Sequence, residues 1–490
     1  MKSDEFKLLA TSVIEKIISY RSNLRSVKYV SEAEVKNYSP GFILSKFPNE
    51  IPQDGNCSAL LIEQLLECIS PGFVHWQHPR FHGYFPLGGS YASILGELIS
   101  NGLAMLGFTW QTCPSCIELE FVVLKWLTNC FKLPDSLNIF KNTNALALML
   151  GSASEGTLIS LCAARDICLR SLNTQDTNKL IGYASTLAHP SIQKAAKIAN
   201  VRITYIEPEF NDDMLGANRF SLCAMKVYSA MQTDRARGLL PFFLLITWGS
   251  TDLCSFDKLQ QFTEISRDIW IHIDAAYSGV AMCCPEVREE YFQGIEISNS
   301  ICINPYKWML VNRDGCCFWC NRKKDIEYSM NADAPYFCNT ALIKDDTLPS
   351  YFDSKKFTIS TGKDFRAIKY WLTMSVFGLE GIRTHIRNHI KLAKYCSSLI
   401  ERHPLVRLVC RPHMGLICFR VIKQLMSVCT LELLNRINKS GELYLTGTCV
   451  NNENIIRICM CAQELTREDI DKSWSIIQVH LNNYCKYSFR

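Results

Sequence analysis

The chain has 490 residues, long enough for two or three hydrophobic cores, and 48% of them are hydrophobic while 20% are charged. That balance fits a globular protein and excludes wholesale disorder. The net charge of +5 is small for this length, and Lys and Arg are scattered along the chain, so we expect no nucleic-acid partner.

Residues 1–90 are predicted to form a helical extension. Apolar residues recur at helical spacing from Phe6 to Ile17, and a second helical pattern runs from Ala59 to Cys68. Prolines interrupt this region at positions 40, 48, 52, 71 and 79, so it is poorly suited to forming a core of its own. We therefore expect it to pack on a partner subunit.

Targeting and membrane segments are not expected. The first residues carry Asp4 and Glu5 and lack the apolar stretch of a signal peptide. The longest apolar run, near Gly238–Trp248, is too short to span a bilayer and contains Pro241. These features favour a cytoplasmic protein without a membrane partner.

Residues 91–369 alternate between helical patterns and short apolar runs. The predicted helices are 117–131, 154–171 and 191–199, and the predicted strands are 180–183, 201–206, 243–247, 269–273 and 300–303. Strands that are apolar on both faces and separated by helices predict a mostly parallel α/β sheet.

The C-terminal region, residues 370–490, is predicted to be a smaller α+β domain. Its predicted strands are 405–410, 416–421 and 455–461, and its helices are 425–437 and 469–483. Predicted helices at 365–377 and 381–400 link the two domains. Between residues 329 and 357 the sequence has little periodicity, which indicates either a functional loop or partial disorder.

The 24 cysteines lie mostly in apolar surroundings, where free thiols behave as small hydrophobic side chains. Cys113-Pro114-Ser115-Cys116 has the C-x-x-C form, but no second pair or histidine cluster lies near it in the sequence. We therefore expect neither a metal site nor a redox site.

Small and polar residues mark three candidate ligand contacts. Gly151–Thr157 opens a helix whose N-terminus would favour a phosphate, although a plain serine cap gives the same pattern. His189 lies in a loop after a strand, where its ring could stack on a flat ligand or be structural. Thr251 follows Gly249 at a strand end, which suits either a ligand contact or a simple turn.

Asp274 and Lys307 are the strongest chemical signal. A carboxylate at the end of an apolar strand is costly unless it is paired, and a pyridinium nitrogen would pair it. A lysine between apolar runs is partly desolvated, which favours the neutral amine that reacts with an aldehyde. An aspartate followed by such a lysine predicts pyridoxal 5'-phosphate (PLP) as the cofactor, unless Asp274 only caps a turn and Lys307 only lies at the surface.

The order Ser154, His189, Thr251, Asp274, Asn304 and Lys307 resembles that of the aromatic-L-amino-acid decarboxylases. These are group II PLP decarboxylases, which also include histidine, tyrosine and glutamate decarboxylases. The resemblance covers nearly the whole chain, through His78-Pro79, Tyr84–Pro86, Gly107–Trp110, Pro114–Glu120, Gly415–Arg420 and Ile455–Arg457. It implies an α/β protein of PLP-dependent transferase fold type I. Its large domain would hold a mostly parallel seven-stranded sheet, beside a small C-terminal α+β domain and a helical N-terminal extension, in a homodimer.

The resemblance also implies roles for matching residues. Lys307 would hold the cofactor, Asp274 its ring nitrogen, and His189 and Ala276 its two ring faces. The phosphate would contact Ala153, Ser154 and Asn304, with Thr251 close to the cofactor. The substrate pocket would be lined by Trp76, Tyr84, Phe85, Leu87, Phe108, His189 and Gly362. Tyr336 would donate a proton to the substrate carbon after carbon dioxide leaves.

Three positions depart from the family pattern. Tyr306 replaces the usual histidine before the lysine, and Leu87 replaces a hydroxyl or small residue. The loop at 339–346 lacks the usual His- and Ser-containing run. Gly362 matches the members that act on aromatic substrates, where histidine decarboxylases have serine, and the smaller residue leaves room for a larger ring.

These residues predict decarboxylation of an aromatic L-amino acid (DOPA, 5-hydroxytryptophan, tyrosine, tryptophan or phenylalanine) to its amine, a step in catecholamine or other amine biosynthesis. One alternative is an aldehyde synthase that decarboxylates and deaminates with oxygen. The presence of both Tyr336 and His189 favours the simple decarboxylase. Another alternative, favoured by Leu87 and Tyr306, is a PLP-binding paralogue without turnover.

Overall fold

The computed structural model describes residues 1–27, 40–55, 58–210, 219–332, 354–422 and 429–485. Packing divides the chain into two compact units. One consists of Met1–Phe85, Tyr395–Leu408 and Cys418–Arg490, and the other of Pro86–Lys394 and Val409–Ile417. The three-part division into residues 1–90, 91–369 and 370–490 stays a prediction.

The α-helices of the described residues are α1 (Ser3–Ser22), α2 (Ala59–Ile69), α3 (Tyr91–Gly102), α4 (Pro114–Cys130), α5 (Ala153–Ser171), α6 (Ser191–Ala199), α7 (Ala224–Ala236), α8 (Pro285–Tyr291), α9 (Pro305–Trp308), α10 (Lys323–Met330), α11 (Ala367–Glu401), α12 (Thr430–Lys439) and α13 (Arg467–Cys485). The strands are β1 (Leu106–Gly107), β2 (Leu146–Leu150), β3 (Leu180–Ser185), β4 (Arg202–Ile206), β5 (Glu209–Phe210), β6 (Phe220–Ser221), β7 (Leu240–Thr247), β8 (Trp270–Asp274), β9 (Ser300–Ile303), β10 (Cys316–Cys320), β11 (Lys363–Asp364), β12 (Val406–Cys410), β13 (Leu416–Val421), β14 (Thr446–Val450) and β15 (Glu453–Cys459).

A seven-stranded sheet forms the centre of the larger unit, in the order β2-β10-β9-β8-β7-β3-β4. The pairs β3–β4, β3–β7, β7–β8 and β8–β9 are parallel, while β10 is antiparallel to both of its neighbours. Every residue of β2, β3, β8, β9 and β10 is buried. The mostly parallel sheet, predicted from strands that are apolar on both faces, is confirmed.

Helix α5 packs closely on the sheet because of a glycine. A Cβ atom added at Gly156 would lie 2.3 Å from the Cys302 Sγ on β9 and 3.2 Å from the Phe318 ring on β10. The absence of a side chain thus lets the helix axis approach the sheet. This contact fixes the start of α5 relative to the strand that leads to Asn304.

The long helix α11 is interrupted where the sequence predicts a break between two helices. Gly378 adopts φ +62°, a left-handed conformation that glycine tolerates without strain. The predicted helices 365–377 and 381–400 therefore correspond to the two arms of α11.

The smaller unit contains helices α1, α2, α12 and α13 and the strands β14 and β15, which are antiparallel neighbours in the sheet β12-β13-β15-β14. The ring of His82 is fully buried in this unit, where its nitrogens lie 2.9 Å from the Cys459 carbonyl and 3.0 Å from the Ser473 hydroxyl. The helical N-terminus predicted from Phe6 to Ile17 is confirmed. Helix α12 begins at Thr430, and residues 425–428 of the predicted helix 425–437 lie outside the described residues.

In the part of the chain that the structure covers, no helix is both long enough and apolar enough to cross a bilayer.

Candidate active site

The carboxyl ends of neighbouring parallel strands bring several predicted site residues to one edge of the large sheet. Asp274 ends β8, Asn304 directly follows β9, and Ala153 and Ser154 open the helix that comes two residues after β2. Strand β8 lies between β7 and β9, and Asp274 is paired in register with Thr247 and Cys302. In sheets of this kind ligands bind at the carboxyl edge.

Asp274 is a buried carboxylate with 7% of its surface exposed. Its Oδ1 accepts a hydrogen bond of 3.0 Å from the Ala276 N–H, and its backbone carbonyl accepts one of 2.9 Å from the Trp248 N–H. These bonds fix the carboxylate beside Ala276, which is half-buried. A buried carboxylate is stable only when a positive charge or further donors face it.

Lys307 lies in α9, a single helical turn that begins directly after Asn304. Its N–H donates a 3.0 Å hydrogen bond to the Asn304 carbonyl, and its side chain is half-buried. The next residue, Trp308, is fully buried and stacks on Tyr277 with ring centroids 4.9 Å apart. The backbone on both sides of Lys307 is therefore anchored.

His189 lies in the loop between β3 and α6, within electrostatic range of both Asp274 and Lys307. Desolvation lowers the pKa of its partly exposed ring, the Asp274 carboxylate opposes that shift, and the Lys307 ammonium adds to it. Nδ1 lies 3.2 Å from the Ser191 backbone nitrogen, whose N–H donates to it, and 3.0 Å from the Ser191 hydroxyl. The proton of the neutral ring is therefore on Nε2. The structure thus brings His189, Asp274 and Lys307 together.

The N-terminus of α5 provides backbone donors for an anion. Ser152 caps the helix by accepting a 3.3 Å hydrogen bond from the Glu155 N–H, and Glu155 in turn accepts a 3.0 Å bond from the Gly151 N–H. Ala153 is buried and Ser154 is exposed in the first turn. A helix N-terminus attracts phosphate because its backbone N–H groups are free and its dipole is positive there.

Asn304 is a buried amide with one unsatisfied end. Its Nδ2 donates a 3.2 Å hydrogen bond to the Tyr306 hydroxyl, whereas its Oδ1 has no hydrogen-bond partner among the described groups. Since the two ends of an amide can exchange by a flip, either a donor or an acceptor is available there. A polar ligand group beside Asn304 would satisfy it.

The turn after β7 positions Thr251. Gly249 adopts φ +78°, and its N–H and that of Ser250 both donate to the Ser255 carbonyl. Thr251 is half-buried in this turn, beyond the carboxyl end of the strand next to β8. Its predicted contact with the cofactor stays a prediction.

Leu87 belongs to a segment that packs on the residues around Lys307. The Gly88 N–H donates 2.8 Å to the Tyr306 carbonyl, and the Ser90 hydroxyl donates 2.7 Å to the Leu310 carbonyl. A Cβ atom on Gly88 would lie 1.7 Å from the Val311 carbonyl oxygen, so only glycine allows this approach. The structure therefore brings half-buried Leu87 close to the Lys307 segment.

Phe108 directly follows β1 and Gly362 directly precedes β11, the two strands of a separate short ladder. Strand β1 pairs with β11 in antiparallel register, with Gly107 opposite Lys363. The Lys355 ammonium lies 5.9 Å from the centre of the Phe108 ring. Both residues thus flank the same short ladder, and their contact with a substrate stays a prediction.

Trp76, Tyr84 and Phe85 belong to the smaller unit. The rings of Trp76 and Tyr84 stack with centroids 5.3 Å apart, and the Arg457 guanidinium lies 5.3 Å from the Phe85 ring centre. Their place in a substrate pocket stays a prediction. Tyr336 lies outside the described residues.

Sequence reasoning missed a buried polar network beneath Asp274. His272, two residues earlier on β8, is fully buried, with ring nitrogens 2.8 Å from the Ser300 hydroxyl and 3.3 Å from the Thr157 hydroxyl. Burial lowers the pKa of His272 to about 4, with Asp274 opposing the shift, so the ring is neutral at neutral pH. The sequence signal for this network was the spacing of two residues between His272 and Asp274, which places both side chains on the same face of β8.

The residues present fit PLP. The aldehyde of PLP requires an amine, and its pyridine nitrogen requires a buried carboxylate. An imidazole suits its ring face, and a helix N-terminus suits its phosphate. The Asn304 Oδ1, which has no hydrogen-bond partner among the described groups, is one more polar group that a bound cofactor could satisfy. Among the described residues, no cluster of His, Cys, Asp or Glu is arranged to hold a metal ion.

Comparisons with known proteins agree with this arrangement. A family model described as "Pyridoxal-dependent decarboxylase conserved domain" matches residues 40–422. The chain is 31% identical to aromatic-L-amino-acid decarboxylase of Cavia porcellus, over 98% of each chain.

Two solved structures have the same fold over 99% of both chains. Oryza sativa TDC, solved with PLP and tryptamine, has a TM-score of 0.91 at 26% identity. Rhodiola rosea 4-hydroxyphenylacetaldehyde synthase has a TM-score of 0.89 at 29% identity.

Proposed function

This chain belongs to the pyridoxal-dependent decarboxylase family and is a PLP-dependent carboxy-lyase, and from that premise we propose that it converts an aromatic L-amino acid into its amine and carbon dioxide. The observation that carries the proposal is the position of His189, within electrostatic range of both Asp274 and Lys307. In this proposal one flat cofactor ring contacts all three side chains.

Each side chain has a separate task in this proposal. PLP, when bound, accepts the electron pair that remains as carbon dioxide leaves. The Asp274 carboxylate holds the pyridine nitrogen protonated, and the Lys307 amine holds the cofactor until substrate displaces it. His189 presents its ring to one cofactor face, while Ala276, next to Asp274, leaves room at the other. The first turn of α5, with Ala153 and Ser154, and the amide of Asn304 hold the phosphate.

An aromatic substrate is favoured over histidine by the residues of the β1–β11 ladder. The three atoms nearest to a Cβ placed on Gly362 belong to the Leu106 side chain, the nearest at 3.5 Å, and glycine itself adds no side chain at this point. Phe108, which directly follows β1, offers an apolar ring surface on which the aromatic ring of a substrate can pack. Leu87 adds further apolar surface near Lys307.

The assay that tests the proposal measures four products. Purified protein saturated with PLP is given DOPA, 5-hydroxytryptophan, tyrosine, tryptophan, phenylalanine and histidine in turn. Carbon dioxide, amine, ammonia and peroxide are measured for each substrate. Carbon dioxide and amine in equal amounts from an aromatic substrate support the proposal. Turnover of histidine alone contradicts it.

An aldehyde synthase is the second candidate, since the Rhodiola rosea structure carries that name and shares the fold. Ammonia and peroxide released together with carbon dioxide would favour it. Tyr336 separates the two reactions, because it is the proposed donor of the proton to the substrate carbon. We predict that Tyr336→Phe keeps the bound cofactor but changes the product from amine toward aldehyde. Unchanged amine output would contradict the role of Tyr336.

The proposed active form is a homodimer. Helix α2 exposes Leu60, Leu61 and Leu65, and α3 exposes Leu95 and Leu98, each with 45% or more of its surface accessible. Apolar side chains exposed in groups mark association surfaces. Sedimentation at micromolar concentration should give twice the chain mass of 55.9 kDa. A monomer that is fully active would contradict the proposal.

A further inference from the structure

The C-x-x-C segment at the start of α4 has a geometry that its sequence context did not indicate. Cys113 is the N-cap residue of α4, and Cys116 lies in the first turn. The two Sγ atoms are 2.7 Å apart. Sulfurs that are not bonded normally keep a larger separation, so only a small movement separates this pair from a covalent bond.

We propose that Cys113 and Cys116 form a reversible disulfide that small dissolved disulfides generate and thiols reduce. The proposal rests on the position of the pair at a helix N-terminus together with the short distance between the sulfurs. It is independent of the proposed enzymatic reaction. The bond would close against the β1–β11 ladder, because a Cβ on Gly107 would lie 3.7 Å from the Cys116 Cβ.

The two thiols have unequal environments, which assigns them different parts in the exchange. Cys113 is 7% exposed and Cys116 is 3% exposed. Burial raises the pKa of the Cys116 thiol to about 12, and the contact with Cys113 adds to the shift. The end of α4 where Cys113 lies favours an anion. Cys113 is therefore the thiol that starts the exchange.

The reaction is balanced with glutathione disulfide as the oxidant. The Cys113 thiolate attacks one sulfur of glutathione disulfide, forms a mixed disulfide and releases one glutathione thiolate. The Cys116 sulfur then attacks the Cys113 sulfur, releases the second glutathione and closes the protein disulfide. Two electrons pass to the glutathione pair, and the two thiol protons end on the two glutathione molecules.

Trypsin isolates this pair from the other cysteines of the chain. Cleavage after Arg80 and Lys125 gives the peptide 81–125, in which Cys113 and Cys116 are the only cysteines. The intact, reduced protein is equilibrated with mixtures of oxidised and reduced glutathione. It is then quenched in acid, denatured, alkylated with N-ethylmaleimide and digested. Mass spectrometry counts the labels on the peptide.

We expect two labels after reduction, and none after exposure to glutathione disulfide, when the peptide is also lighter by two hydrogen atoms. Dithiothreitol restores both labels. The tryptic peptide 268–288 is an internal control, since it contains only Cys283 and Cys284, whose Sγ atoms are 3.9 Å apart. This control peptide should keep both labels at the ratios of oxidised to reduced glutathione that oxidise Cys113 and Cys116.

Two serine variants test the assigned order. Cys116→Ser should retain one glutathione on Cys113, because no second thiol can displace it. Cys113→Ser should take up none at the same ratio. Two labels on peptide 81–125 at every ratio would overturn the proposal, as would equal oxidation of both tryptic peptides. Glutathione on Cys116 but not on Cys113 would overturn the order.

Discussion

At the residue scale, the protonation state of His189 depends on Ser191. Both Ser191 groups lie within hydrogen-bond distance of Nδ1, and a bond donated to a neutral imidazole disfavours the charged form. The Ser191 hydroxyl thereby adds to the lowering of the His189 pKa that desolvation causes. A neutral ring also avoids placing a second positive charge next to Lys307.

We predict that Ser191→Ala raises the pKa of His189 toward that of a free imidazole, since one hydrogen bond to the neutral ring is lost. NMR titration of labelled histidine measures this pKa. Ser171→Ala is the matched control, because the Ser171 hydroxyl donates to the Cys168 carbonyl on an exposed part of α5. An unchanged or lowered His189 pKa in Ser191→Ala would contradict the argument.

Tyr306 is the second residue whose role the structure clarifies. Its hydroxyl accepts from the buried Asn304 amide, a bond that the family's usual histidine at this position would have to replace. We predict that Tyr306→Phe weakens PLP binding about tenfold, since a buried amide loses its partner at a cost of roughly 1–3 kcal/mol. Absorbance titration with PLP measures the affinity.

The comparison variant for this prediction is Tyr306→His, which keeps a hydrogen-bonding ring and should retain most of the affinity. If Tyr306→Phe binds PLP as tightly as the unchanged protein, Asn304 does not depend on Tyr306.

At the element scale, the fit of α5 against β9 and β10 depends on Gly156. We predict that Gly156→Ala lowers the free energy of unfolding by roughly 1–3 kcal/mol, because the added methyl overlaps the Cys302 sulfur. Gly102→Ala at the end of α3 is the control, since nothing lies within 4 Å of its added Cβ. Urea denaturation measures both variants.

A second substitution tests whether steric overlap with the Cys302 sulfur causes the loss of stability in Gly156→Ala. Cys302→Ala removes the sulfur that the new methyl would meet, so adding it to Gly156→Ala should recover part of the lost stability. Simple additivity of the two destabilising effects would show that the close contact between α5 and β9 is not the cause.

At the scale of the whole molecule, buried histidines make stability depend on pH. Burial lowers the pKa of His78, His82 and His272 from 6.5 to about 4, while burial raises the pKa of Asp257 to about 6. Between pH 6.5 and 4 these histidines bind protons in the unfolded chain but not in the folded protein. The free energy of unfolding therefore falls as the pH falls. Asp257 acts in the opposite sense and cancels the effect of one histidine below pH 6.

We predict that the free energy of unfolding decreases by roughly 1.4 kcal/mol per pH unit for each uncompensated proton over this interval. Urea denaturation at a series of pH values measures the slope. His272→Gln should reduce the slope by the contribution of about one proton, roughly 1.4 kcal/mol per pH unit, relative to the unchanged protein. A slope that is flat in both proteins would contradict the burial of these rings.

Much of the fold and part of the site followed from local sequence signals. The strand Leu240–Thr247 is apolar on both faces, a pattern that alone indicates a buried parallel sheet, and Asp274 directly follows the predicted strand 269–273 at the edge of that sheet. The bond from Ser191 to His189 and the contact between Cys113 and Cys116 depend on side-chain directions that no periodicity encodes. The polar network around His272 joins residues far apart in the chain, so only the packed structure reveals it.

The most direct test of the whole account is the chemical state of Lys307 in protein saturated with PLP. Borohydride reduction fixes the link between amine and cofactor, and trypsin no longer cleaves at the modified lysine. The cofactor mass should therefore appear on the peptide 289–313, and it should be absent in Lys307→Arg, which keeps the positive charge. Unmodified Lys307 in cofactor-saturated, reduced protein would contradict the account.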